Sequence, residues 1–217
     1  MAQHDASRGE AGTDKPLLKV TVFSDYICPF CYIGELRLNR LREHYDLRVN
    51  WCAIEIHPQT PAEGQPIGAL GYDNDRWKSM MSSLNEMAAV EGVTLMEHDF
   101  TTNSRSSLLL AEAAKLLGRD TFYQVHNAVF EAFFVEGLNI GDREILKALA
   151  QKAGMSGSQI TAAWDEDTAS KKLEQYRKAA LELGVSATPT FFIGEQRLDG
   201  AVPYEQLLAA AQVAVNE

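Results

Sequence analysis

Long apolar runs, basic excess and cysteine are all scarce in this chain of 217 residues. No stretch stays apolar for the length that crossing a bilayer requires. Lysine and arginine number 20 against 30 aspartates and glutamates, giving a formal net charge of −10. That balance argues against nucleic acid and anionic membrane surfaces as partners, because both are held through basic patches. Three cysteines are too few for a disulfide scaffold. There is no internal repeat and no low-complexity block. Residues 1–14 are polar and lack the apolar segment of a secretory signal. They are expected to form a disordered tail, and the protein is expected to be cytoplasmic. Apolar residues make up 46% of the chain, enough to build a folded core.

The few cysteines are placed with purpose. Two of them stand two residues apart in Ser24-Asp25-Tyr26-Ile27-Cys28-Pro29-Phe30-Cys31-Tyr32-Ile33-Gly34. The apolar run Val20-Thr21-Val22-Phe23 precedes this stretch, and a helical pattern from Glu35 to Leu41 follows it. The pair therefore sits where a strand hands over to a helix. Pro29 suits the first helical position, since its ring presets φ and its missing N–H would have no helical partner there. Cys28 then falls at the helix N-cap, where free N–H groups and the positive end of the helix dipole favour thiolate over thiol. Cys31 lies on the same helical face, within reach of a disulfide with Cys28. Cysteines in such motifs ionise well below the free value of about 8.5, and the thiolate is the attacking species. Cys28 is the expected nucleophile and Cys31 the expected resolving thiol.

Periodicity organises the rest. Residues 19–23 read as a buried strand, 29–45 as a helix, and 47–56 as a second strand. A Pro- and Gly-rich loop follows, from Pro58 to Gly71. Helices are expected at 76–91, 104–117, 120–136, 142–153, 156–164 and 167–183, most of them stopped by a following glycine. The end of the chain changes character. Thr190-Phe191-Phe192-Ile193 and residues 196–199 form two strands around the turn Gly194-Glu195, and a last helix starts at Pro203. The order is βαβ, many helices, then αββα, with residues 61–166 inserted between 15–60 and 167–217.

This arrangement, with Cys28-Pro29-Phe30-Cys31 early and Ala187-Thr188-Pro189-Thr190-Phe191 late, resembles the thioredoxin fold of the DsbA-like family. Gly137-Leu138-Asn139-Ile140-Gly141-Asp142 and Gly184-Val185-Ser186-Ala187-Thr188-Pro189-Thr190-Phe191 resemble its FrnE-like members. The resemblance implies an α/β thioredoxin fold with a large all-helical insertion after the second strand. It also implies a thiol–disulfide oxidoreductase working through a mixed disulfide. Pro189 is then the cis-proline facing the cysteine pair, with Thr188 beside Cys28 to pair with an extended substrate. Phe30 and Tyr26 are expected at the rim. Substrates are disulfide or dithiol proteins or small thiols, and no metal or organic cofactor is implied. Glutathione is a candidate redox partner or cosubstrate, and the protein is expected to be a monomer or a homodimer. The dipeptide Pro29-Phe30 leaves the redox poise open between about −120 and −270 mV, because Phe30 adds no donor to the thiolate.

Other residues admit plainer roles. Asp25, three residues before Cys28, could relay a proton during exchange or fix the turn through backbone N–H groups. Cys52 reads as a buried strand cysteine. With His57 it could complete a Cys28, Cys31, Cys52, His57 zinc set, but a proline-opened helix is a poor zinc knuckle. His98 and His126 show no acid or base partner in the sequence. Met80, Met81, Met87 and Met96, with Phe122, Phe130, Phe133 and Phe134, are core residues or the wall of an apolar groove. Two alternatives to the oxidoreductase are a kappa-type glutathione-dependent isomerase or transferase and a non-enzymatic chaperone or binding module.

Overall fold

The computed structural model describes residues 15–97 and 99–216. The expected tail and His98 lie outside the described residues. Strand β1, Leu17–Ser24, runs through the middle of a four-stranded sheet of order β2-β1-β5-β6. One face is apolar along its length, and the other is covered only at its C-terminal end. Leu18, Val20 and Val22 point into the main core, while Phe23 packs with Cys52, Tyr176 and Ala180 on the other side. Helix α1, Pro29–Arg40, carries the chain to β2, Asp46–Ala53, which pairs parallel to β1 from Leu17↔Asp46 to Ser24↔Ala53. The last turn after Arg40 tightens into a 3₁₀ turn over Leu41–Glu43, so α1 stops short of the expected residue 45.

After β2 come α2 (Asn74–Val90), α3 (Arg105–Lys115), α4 (Arg119–Phe134), α5 (Arg143–Lys152), α6 (Gly157–Asp165) and α7 (Asp167–Glu182). Asp73, Asp142 and Ser156 cap three of them through side-chain oxygens that accept backbone N–H groups. The inserted region is not wholly helical. Gln65–Pro66 (β3) pairs antiparallel with Phe100–Thr101 (β4). Two residues pairing across so wide a gap leave no period in the sequence, which is why this small sheet was missed. The chain then returns through β5, Thr190–Ile193, antiparallel to β1, and through β6, Gln196–Asp199. Helix α8, Tyr204–Asn216, packs on α1, β1 and β5, while α7 covers β2 from the opposite face.

Two features fix how the insert and the returning strand meet α1. Arg37 is buried in α1 and donates to Glu91 at 2.8 Å and to the carbonyls of Ala201 and Val202. Its guanidinium fork thus ties α1 to the end of α2 and to the loop before α8. Asn139 donates to the Ala62 carbonyl, which also receives the Thr102 hydroxyl, and Gly141 packs against the same carbonyl where no Cβ would fit. The Gly137–Asp142 motif is thereby a clamp on the loop that follows β2.

Candidate active site

Helix α1 begins as its sequence demands. Cys28 is the N-cap in extended geometry and Pro29 occupies the first turn. The chain reaches Cys28 through a turn stitched by Asp25, whose backbone carbonyl accepts the Cys28 N–H. The Asp25 carboxylate accepts the N–H of Ile56 at 2.7 Å and of Ile27 at 3.3 Å. Burial dominates over these bonds and pushes its pKa up to about 6.

Opposite Cys28 stands the loop before β5. The Thr188–Pro189 peptide bond is cis. The Cys28 thiol lies 3.4 Å from the Thr188 carbonyl and can donate to it. Gly34, one turn beyond Cys31, allows this approach. A Cβ there would meet Phe191 Cζ at 2.9 Å and Pro189 Cγ at 3.0 Å. Close contact of helix and loop is what requires a glycine at this place in the motif.

The two thiols diverge in acidity. A hydrogen bond from Cys31 holds the Cys28 pKa below its ordinary value despite burial, and Thr188 adds to the effect. Burial, together with that same bond, pushes Cys31 well above its ordinary value. Cys28 is therefore the more acidic thiol of the pair, and Cys31 holds its proton the longer.

Phe30 is half-buried and lines a cavity beside Cys28. Tyr26, expected at the rim, is a correction: it turns inward and is 4% exposed. Its hydroxyl sits 2.7 Å from His126 Nδ1, and His126 Nε2 sits 3.1 Å from Glu35 Oε2. Burial keeps the phenol protonated, so it donates to Nδ1 and leaves Nε2–H for Glu35. The sequence held one sign of this network. Glu35 follows Cys31 by four residues, on the helix face that must be buried. His126 thus has a partner that its own neighbourhood in the chain did not reveal.

The four possible zinc donors are not gathered. Cys52 lies on the far face of the sheet with Tyr176, and among the described residues no three His, Cys, Asp or Glu side chains group to hold a metal ion. Among these residues, no helix is long and apolar enough to cross a membrane.

Residues 19–212 match the DSBA-like thioredoxin domain family. This chain belongs to that family. It is 30% identical to the uncharacterized protein YwbO of Bacillus subtilis, over 84% of this chain and 90% of that one. It is 27% identical to a 2-hydroxychromene-2-carboxylate isomerase of Pseudomonas putida, over 82% of this chain and 86% of the isomerase. The solved structure of a probable DsbA oxidoreductase from Streptomyces coelicolor aligns with a TM-score of 0.80 at 23% identity, covering 92% and 91% of the two chains. Likeness at that identity speaks for the fold.

Proposed function

We propose that this family member is a thiol–disulfide oxidoreductase in which Cys28 attacks and Cys31 resolves. The observation that carries the reading is the placement of two neighbouring thiols at the start of α1, with Cys28 at the N-cap facing the cis Thr188–Pro189 loop at 3.4 Å; their opposed acidity agrees with it. The Cys28 thiolate attacks one sulfur of a substrate disulfide and expels the other as a thiolate. A mixed disulfide joins Cys28 to the substrate. Cys31 then loses its proton and attacks Cys28 Sγ, releasing the second substrate thiol and leaving Cys28–Cys31 oxidised. The reverse sequence delivers a disulfide.

Asp25 is the proton relay in this proposal. A buried carboxyl that titrates at about 6 can take up and return the Cys31 proton near neutrality. The Thr188 backbone and the Pro189 ring support a role in holding the substrate strand. Proteins or small thiols serve as substrates in the cytoplasm, with glutathione as a redox partner, and no metal or organic cofactor takes part. Cys31→Ser is expected to accumulate mixed disulfides on Cys28, detected by mass. Trapping that instead needs Cys31 reverses the two roles.

The isomerase among the relatives favours a second reading, glutathione-dependent isomerisation or transfer. Turnover of an aromatic electrophile with glutathione separates the two, since a pure dithiol enzyme shows none. The intact cysteine pair supports the first.

A further inference from the structure

A cavity of ≈ 350 Å³ opens beside Cys28 and is walled by the start of α1 and five further segments of the chain. Ile56 and His57 come from the loop after β2. Leu70 and Tyr72 come from the turn before α2, and Met81 and Leu84 from α2 itself. Leu95, Met96 and Glu97, then Phe100 and Thr101, and the end of α4 close the remaining sides. Walls on this many sides make a pocket, and an extended peptide needs a groove open at both ends. The volume falls within the range of small-molecule sites, about 300 to 1,000 Å³, and the position between frame and insert is where such sites form. A cavity of about 150 Å³ already holds one benzene-sized ring, so two rings fit here.

Its chemistry is one-sided. Among the described residues of the lining there is no lysine or arginine, and Glu97 is the only carboxylate. His57 is held toward the neutral form by burial. A carboxylate entering this space would lose water and meet no lysine or arginine among the described residues. The methionines offer soft, adaptable contact to aromatic faces.

We propose that this cavity takes the uncharged aromatic group of a low-molecular-weight disulfide whose sulfur meets Cys28. The inference rests on the dithiol reading and names its substrate class. One protein dithiol and one aryl disulfide become one protein disulfide and two aryl thiols. The two electrons come from Cys28 and Cys31, and their two protons end on the released thiols. An anionic disulfide such as oxidised glutathione meets no lysine or arginine among the described lining residues, so it reaches Cys28 from outside the cavity.

The test follows the reduced protein reacting with neutral 4,4′-dithiodipyridine and with dianionic 5,5′-dithiobis(2-nitrobenzoate). Each rate is divided by the rate of the same reagent with 2-mercaptoethanol. The expected result is a normalised preference of at least about tenfold for the neutral reagent, with saturation at rising concentration. Met81→Trp fills the space and is expected to abolish saturation and most of the preference. Glu97→Lys, at an exposed position that tolerates change, is expected to raise the rate of the dianion. A normalised ratio near one that neither variant alters overturns the inference and leaves the dithiol reading standing. Failure of both reagents to oxidise Cys28 and Cys31 sinks the dithiol reading, and the inference with it.

Discussion

Cys28 and Cys52 are both buried, yet their surroundings drive them in opposite directions. Cys28 is 6% exposed and its pKa is lowered, because hydrogen bonds from the side chains of Cys31 and Thr188 outweigh its burial. Cys52 is 3% exposed, in a strand, and burial pushes its thiol up to about 11. Lysine Lys115 is close enough to oppose that rise, but its ammonium is bound to Glu112 and to the Trp51 carbonyl. A cation already paired does little for a thiol. Burial sets the default of an inert cysteine, and donors aimed at the sulfur reverse it.

The largest effect expected from this contrast is in alkylation. At neutral pH, iodoacetamide is expected to modify Cys28 at least about a hundredfold faster than Cys52, as the thiolate fractions dictate. Peptide mapping by mass measures both rates in one sample. Comparable rates break the comparison. Cys52→Ala is expected to keep disulfide exchange at the wild-type rate.

Asp25 sharpens the contrast, because its charge opposes the Cys28 thiolate. Asp25→Asn is expected to lower the Cys28 pKa further while slowing the step that Cys31 performs. Stability gives an independent sign. Folding raises the Asp25 pKa from 3.8 to about 6, so the unfolded chain ionises first. The contribution favouring the fold is complete below pH 4, declines between pH 4 and 6, and is lost above. The effect of Asp25→Asn on stability is expected to be more favourable at pH 8 than at pH 4 by up to ~3 kcal/mol, on top of a pH-independent loss of one of the two N–H bonds. Melting curves at the two pH values check this. Equal shifts at both contradict the assignment.

The smallest expected change comes from Gly34. Gly34→Ala forces Phe191 and the Pro189 loop away from α1, at a cost of about 1–3 kcal/mol. With Thr188 displaced, the Cys28 pKa is expected to rise toward that of a free thiol. A pH titration of alkylation reads the shift directly, and an unchanged Cys28 pKa shows that Thr188 contributes nothing.

Much of this corner was legible because its signals are local. Pro29 fixed the start of α1 and placed Cys28 at the cap. The hairpin of Thr190–Ile193 and Gln196–Asp199 announced itself through a two-residue turn between short apolar runs. What escaped depends on contacts far apart in the chain. Tyr26 lies in a turn, where no period fixes which way a side chain points, and its partner His126 is 100 residues away. The pairing of Gln65–Pro66 with Phe100–Thr101 is too short to alternate. The methionines of the insert left their role open, since α2 carries Met87, packed toward the core, Met80, on the cavity wall, and Met81, which does both. Helical spacing identifies a face but not what lies against it.

The most direct test of the central claim is an equilibrium titration of Cys28 and Cys31 in glutathione buffers, read by mass after alkylation. The account predicts one two-electron transition in which both thiols disappear together, with a midpoint between about −120 and −270 mV. A stable glutathione adduct on Cys28 with Cys31 still free, or two thiols that stay reduced across the whole range, contradicts it.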